Sequence, residues 1–185
     1  MLFSLRLSDG GSRVAARDTE LVTAFKASSD ACPIPEAVAI IGERWTCLIL
    51  RASMLGLSHF EEFQACLGIA RNILSDRLGR LVAAGILART PDPKDGRKVI
   101  YALSERGAAL LPVIVALRQW ALDAGLGAAG HPTLADRRDR QPVGRVSITA
   151  HDGRPLQFHD LMWIGPNGEE LDMPSSSRPS SAKAA

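Results

Sequence analysis

Several features that would name a function outright are scarce or missing. Cysteine is one: Cys32, Cys47 and Cys66 are the three in 185 residues. They form an odd set with no CxxC pair and no histidines at ligand spacing, which argues against a disulfide framework and against a bound metal. Reduced thiols suit the cytoplasm. No run approaches the roughly 18 uninterrupted apolar residues that a spanning helix requires, so no membrane association is expected. No charge sign dominates either. With 22 Lys+Arg against 20 Asp+Glu the net charge is +2, too small a field to impose nucleic-acid or membrane binding, which must then come from local patches. Residues 1–29 mix both charge signs and lack the continuous apolar stretch of a targeting signal.

Catalytic constellations are equally absent. There is no Ser/His/Asp arrangement, no glycine loop shaped for phosphate and no recognisable pair of carboxylates, so neither an enzyme nor a cofactor is expected. A hydrolase built on Cys32 would need a histidine base, and His59 alone lies in the central part of the chain.

What is present is an ordinary globular composition, 46% hydrophobic and 23% charged, with room for one main core. Residues 1–29 carry Gly10-Gly11, serine and mixed charge and read as a flexible arm with a short helix near 19–27. Residues 30–125 are dense in apolar side chains at helical spacing, punctuated by glycine, and form the principal domain. Residues 126–173 alternate short apolar segments with Gly and Pro turns, the mark of a small β-rich extension. Residues 174–185 are Ser, Pro, Ala and Lys and read as a disordered tail.

In the principal domain, Pro33 and Glu36 suit a first helical turn and predict a helix closing near Gly42. A second is expected from Glu43 through Leu55, with Trp45, Leu48, Ile49 and Ala52 on its inner face and Gly56 after its end. Ser58 followed by Glu61 has the capping-box spacing and opens a third, short helix that carries Phe60 and Phe63 inward and ends around Gly68. A fourth helix is predicted over 70–84. Leu74, Leu78 and Leu81 form its buried stripe, while Asn72, Ser75, Asp76, Gly79 and Arg80 project outward. Two strands follow, 86–90 and 98–103, joined by a turn in which Asp95-Gly96 is a hairpin signal. Ser104 caps a last helix running to about Ala124, with a break or kink at Pro112.

Short helices, a two-stranded ribbon with a basic tip and a long apolar helix make a mainly α fold with a small β-wing, a winged helix-turn-helix. A helix presenting small and polar residues can enter a major groove about 12 Å wide, where Arg and Asn side chains suit base edges or phosphates. Lys94, Arg97 and Lys98 would meet the backbone at the wing. An exposed helix face of this composition is equally a solvated surface; it is the order of the elements that favours double-stranded DNA.

At these residues the chain resembles the HxlR family of winged-helix transcriptional regulators, relatives of the MarR group. The resemblance rests on Cys32-Pro33-Ile34, on Gly42-Glu43-Arg44-Trp45-Thr46-Cys47-Leu48-Ile49-Leu50, on Phe60-Glu61-Glu62-Phe63, on Ile73-Leu74-Ser75-Asp76-Arg77-Leu78-Gly79-Arg80-Leu81 with Gly85-Ile86-Leu87, and on Tyr101-Ala102-Leu103-Ser104-Glu105-Arg106-Gly107. It covers roughly 31–122. What it implies is a cytoplasmic homodimer on a pseudopalindromic operator, acting as a repressor or an activator, with the first and last helices at the dimer seam. Leu110, Val113, Ile114, Leu117 and Trp120 exceed what one small core would use, and a partner subunit would absorb the excess. The resemblance also implies that a thiol just before the first helix can sense oxidants or electrophiles. Cys32 occupies that place, and its alternative role is a small apolar residue at the seam. Cys47, among Leu48, Ile49 and Leu50, reads as buried and inert, and Cys66 as structural.

Two departures from the family stand out. Ala70 holds the N-cap position of the recognition segment, where the family usually has Ser, and Asp76 sets a negative charge on the outward face, to repel phosphate or to accept from cytosine N4. Arg77, at the flank of the buried stripe, is a DNA-contact candidate ranked below Arg71 and Asn72, its alternative role being a structural ion pair. Residues 30–125 hold 11 basic and 10 acidic side chains, so nonspecific DNA affinity should be modest. Such a domain could instead be a protein-interaction module without sequence-specific DNA binding. A small-molecule effector is a further expected partner, although no convergent polar set identifies one.

Overall fold

A computed structural model describes residues 32–127, 130, 132–165, 167–168 and 170–171. The expected arm at 1–29 and tail at 174–185 lie outside the described residues. By their contacts the residues divide into two compact units, 1–111 and 112–185.

In the first unit, helices α1 (Ile34–Ile41), α2 (Arg44–Met54), α3 (Phe60–Leu67) and α4 (Arg71–Ala83) precede an antiparallel pair, β1 (Leu87–Pro91) and β2 (Val99–Leu103), and a single turn of helix, α5 (Glu105–Ala108). The pair runs in register from Leu87 opposite Leu103 to Pro91 opposite Val99. The segment before α3 adds a partial third strand, with a bridge between His59 and Ile100 and the Tyr101 N–H donating to the Ser58 carbonyl at 2.7 Å. Helix-turn-helix, ribbon and cap therefore appear in the expected order. The core is a single apolar cluster of Ile49, Leu50, Ala52, Phe63, Ile69, Leu74, Leu78, Leu81, Ile86 and Leu87. It includes the whole predicted stripe of α4.

Three local expectations need correction. The buried face of α2 is Thr46, Ile49, Leu50 and Ala52, not the Trp45–Leu48 side, because α2 turns its large aromatic to the margin, where the Arg44 guanidinium lies over the Trp45 ring at 4.8 Å. Helix α3 begins one residue later than the Ser58/Glu61 spacing implied. His59 is the N-cap, and the Glu62 carboxylate accepts from the backbone N–H groups of both Ser58 and His59 at 2.8 Å, so the acid that satisfies the orphan donors is Glu62. Phe63 is fully buried but Phe60 is half exposed, and Cys66 is exposed on α3 and not packed.

The chain returns from the ribbon to α5 through a close contact. The Ser104 hydroxyl accepts from the Gly107 N–H at 3.0 Å and points at the Gly85 and Ile86 carbonyls at 2.6 and 3.1 Å. A Cβ on Gly107 would stand 2.2 Å from the Ile86 carbonyl oxygen, so only glycine permits this approach. The predicted last helix is interrupted before Pro112. α5 ends at Ala108 and α6 (Leu111–Asp123) starts afresh, as expected for a residue that cannot donate within a continuous helix.

The second unit consists of most of α6 and an extension of short pieces: strands of two residues each, β3 (Ile148–Thr149) with β4 (Pro155–Leu156) and β5 (Trp163–Ile164) with β6 (Glu170–Leu171), and a 3-10 turn over Phe158–Asp160. Side chains of α6 hold the extension. Gln119 donates to the Gly144 carbonyl at 3.0 Å and accepts from the Val146 N–H at 2.8 Å, Arg118 donates to the Pro132 carbonyl, and Arg145 pairs with Asp123. No helix among the described residues is long and apolar enough to cross a membrane.

Candidate nucleic-acid interface

The outward face of α4 is built by the burial of its other side. With Leu74, Leu78 and Leu81 fixed in the core, helical geometry turns Arg71, Asn72, Ser75, Asp76, Gly79 and Arg80 outward, and all six are exposed. Gly68, in the left-handed region at φ +60°, ends α3, and the chain turns over Ile69 and Ala70 into α4, the short connection of a helix-turn-helix. Ala70 is the N-cap and contributes no side-chain acceptor, so the first N–H groups of α4 stay open to a phosphate or to water.

The cations on this face are not equally available. The Arg71 guanidinium lies over the Phe60 ring, 4.9 Å from its centroid, which explains why Phe60 stays at the margin and fixes the arginine at the leading end of α4. Arg77 reaches backward, not outward: its guanidinium pairs with Glu43 at 2.5 Å and is largely buried. Arg80 pairs with Asp76 one turn earlier at 3.0 Å, and Asp76 lies 3.7 Å from Arg77. The acid therefore neutralises part of the field of α4.

At the wing, Lys94, Arg97 and Lys98 are exposed. The tip is a β-turn closed by the Lys98 N–H on the Asp95 carbonyl at 2.8 Å, and the Asp95 carboxylate accepts from the Arg97 N–H and guanidinium. Asp at the first position of such a turn is favoured because its side chain caps the following amides. Those bonds hold the Asp95 carboxyl below the ordinary range.

Sequence reasoning passed over two residues. His59 Nε2 lies 2.9 Å from Asp92 Oδ2, the other Asp92 oxygen accepts from the Lys94 N–H at 2.7 Å, and Asp92 is one of two buried polar residues in the described core. The Asp92 hydrogen bond raises the His59 pKa, while the Lys94 amide and then His59 lower that of Asp92. A signal existed in the Asp92-Pro93-Lys94 turn, since aspartate there commonly caps an amide two residues on. Its histidine partner lies 33 residues away, beyond any local pattern.

Two further features adjoin this face. A cleft of about 390 Å³ is lined by Ala39, Ile40, Glu43, Thr46, Arg77 and Arg80, among others, so α4 forms one of its walls. Cys32 is half exposed directly before Pro33. Cys47 is only partly buried, like Cys32, rather than enclosed as expected; it donates its thiol to the Ile41 carbonyl at 3.1 Å, and the burial it has raises its pKa. Along α6, Val113, Leu117 and Trp120 are 48, 49 and 62% exposed in one stripe at spacings of four and three, beside half-buried Ile114, while Leu110, just before α6, is half buried. Among the described residues no group of three or more His, Cys, Asp or Glu side chains is placed to hold a metal.

Comparison with known proteins converges on one family. Residues 40–125 match the model of the HxlR-like helix-turn-helix. The chain is 41% identical over 87 residues to the HTH-type transcriptional regulator Rv3095 of Mycobacterium tuberculosis, a match spanning 47% of this chain and 55% of that one. It therefore covers little more than half the length of that relative. It is 32% identical to the HTH-type transcriptional regulator YvaP of Bacillus subtilis, over 51% of this chain and 90% of YvaP. Among solved structures, that of PA1607, a candidate transcription factor, superposes with a TM-score of 0.66 at 40% identity, covering 70% of this chain and 92% of the other. That coverage is larger than the stretch the family model matches.

Proposed function

The chain belongs to the HxlR-like helix-turn-helix family, and from that premise we propose that it is a cytoplasmic transcriptional regulator that binds a pseudopalindromic DNA operator as a homodimer. The observation that carries this reading is the exposed Arg71–Asn72–Ser75 face of α4, turned outward by the buried Leu74, Leu78 and Leu81. In it, Arg71, Asn72 and Ser75 read base edges near the start of the recognition helix, Arg80 divides its charge between Asp76 and the DNA, and Lys94, Arg97 and Lys98 meet backbone phosphates. Arg77 is a positioning residue, holding α4 to Glu43. Val113, Leu117 and Trp120, with Leu110 and Ile114, form the seam with a second copy, which sets one recognition helix per half-site about 34–36 Å apart. A small-molecule effector would bind in the cleft walled by Arg77 and Arg80, and oxidants or electrophiles would act at Cys32.

A second reading has an observation of its own. Arg77, Arg80 and Arg97 are each paired with an acid, Glu43, Asp76 and Asp95, which suits a protein-interaction module as well as a DNA reader. One experiment separates the two: selection of bound duplexes from random DNA by the full chain at two salt concentrations. An enriched inverted repeat whose affinity falls steeply with salt and is lost on neutralising Arg71, Arg80 and Arg97 supports the regulator. No enrichment by a folded dimer supports the module. In the same assay, Cys32→Ser should abolish any response to oxidants, whereas Cys66→Ser, at the exposed thiol of α3, should not.

A further inference from the structure

The wing is joined to the helix-turn-helix by a narrow neck. On the outgoing side the chain passes through Pro91-Asp92-Pro93, where two fixed φ angles confine rotation largely to Asp92. That aspartate is 9% exposed and is tied on three sides: Oδ2 to His59 Nε2 at 2.9 Å, Oδ1 to the Lys94 N–H at 2.7 Å, and its own N–H to the Lys98 carbonyl at 3.0 Å. His59 is anchored independently. It caps α3, its N–H donates to Glu62, it bridges Ile100 of β2, and its Nδ1 lies 3.2 Å from the Ser58 hydroxyl. One side-chain contact thus links the start of the helix-turn-helix to both sides of the wing tip.

We propose that His59 and Asp92 are positioning residues for DNA recognition: their bridge holds the Lys94–Lys98 tip at the angle at which the wing and α4 engage one duplex, and the hold is strongest when the imidazole is protonated. This rests on reading α4 and the wing as a DNA interface. The surroundings of the imidazole set the direction of the pH effect. Asp92 faces it from the wing, and Glu62 faces Nδ1 from its own helix at 3.5 Å. Beyond Asp92 stand Lys94, Lys98 and Asp95, the last already paired with Arg97. Two carboxylates therefore flank the ring, and its pKa is raised. Above that value the neutral ring keeps one N–H for Asp92 but loses the charge that strengthens the bond.

The test uses the full chain and the duplex that the wild type selects. The proteins are wild type, His59→Gln, Asp92→Asn and the double variant, at constant ionic strength near pH 6 and near pH 8. Near pH 6 each single change should weaken binding about tenfold, and the double change should do no worse than either, as expected for a charge-assisted contact removed once. The wild type should lose more affinity toward pH 8 than His59→Gln does; the other three histidines are common to both and cancel in that difference. Without DNA, exchange of the Lys94 and Lys98 amides, corrected for its intrinsic pH dependence, should quicken in each variant. Additive losses, parallel pH slopes in wild type and His59→Gln, or unchanged amide exchange would each overturn the proposal. If the wild type selects no duplex, the DNA reading falls and the positioning role with it, while the exchange experiment still reports whether the bridge holds the tip.

Discussion

The two units of this chain are stabilised in opposite ways. Residues 32–111 enclose ten buried apolar side chains, drawn from helices and strands far apart in sequence. In residues 112–171 the one buried residue among those described is Gly165, and Ile148, Phe158, Met162, Trp163 and Ile164 are each more than half exposed. What holds the second unit is a set of polar contacts from α6, Gln119 to Gly144 and Val146 and Asp123 to Arg145. A core that excludes water can fix a recognition helix to within the tolerance that base reading demands. A polar clasp permits local opening at far lower cost.

Truncation in each unit should separate them most sharply. Leu78→Ala, at a residue 1% exposed in the stripe of α4, should destabilise the first unit by about 2–5 kcal/mol in chemical denaturation, the range for a fully buried leucine. Ile148→Ala, 58% exposed in the extension, should change stability by less than about 0.5 kcal/mol. Equal losses would mean that the extension is packed as a core in solution and would end the contrast.

Gly107→Ala is next in size. The new methyl would be driven against the Ile86 carbonyl, and relief requires the end of α4 or the start of α5 to shift, at about 1–3 kcal/mol. The thermal midpoint should fall by several degrees, about 4–8 °C for each kcal/mol in a domain of this size. An unchanged midpoint would show that the return from the wing is looser than the core it closes.

A smaller effect probes the clasp. Gln119→Leu keeps the bulk on α6 but strands the Gly144 carbonyl and the Val146 N–H, both exposed enough to turn to water, so the loss should be about 1 kcal/mol or less. It should appear as faster amide exchange at Val146 with no change at the Leu74 and Leu78 amides.

How much of this was legible in the sequence follows the same division. The Leu74–Leu78–Leu81 stripe and the break at Pro112 were readable, because helical periodicity and proline act within one element. The order of helices and ribbon gave the fold class for the same reason. Errors arose where two local signals competed: Ser58 and Glu61 have capping spacing, but so do His59 and Glu62, and contact of the His59 segment with β2 decides between them. Trp45 reads as core by type and Thr46 does not, yet it is the smaller residue that α2 buries, beside Ile49 and Leu50. The outward positions of α4 were legible, but not their pairing. Asp76 facing Arg80 is an ordinary i,i+4 relation, whereas Arg77 with Glu43 and His59 with Asp92 cross elements. The extension was least legible, since strands of two residues and tethers such as Gln119 to Gly144 leave no period to detect.

The smallest expected effect is the dependence of each unit's stability on pH, and its sign differs at the two ends of the scale. Glu62, Asp92 and Asp95 in the first unit, and Asp123 in the second, have carboxyls held below their ordinary range, by backbone amides at Glu62 and chiefly so at Asp92, and by Arg97 and Arg145 at the others. Groups of this kind stabilise fully above their unfolded values and lose that contribution as pH falls through the lowered ones, so both units should weaken below about pH 4, the first more because it has three such acids. His59 runs the other way: its raised pKa contributes fully below the ordinary imidazole value and is lost as pH rises through the raised one. The first unit should therefore soften slightly on the alkaline side as well, whereas in the second the Arg145 guanidinium, raised by its bond to Asp123, holds its charge throughout that range. Denaturation followed separately through Trp45 in the first unit and Trp163 in the second, with the other tryptophans replaced by Phe, would read this directly. An alkaline loss in wild type that persists in His59→Gln would assign it to another group and remove the histidine from the contrast.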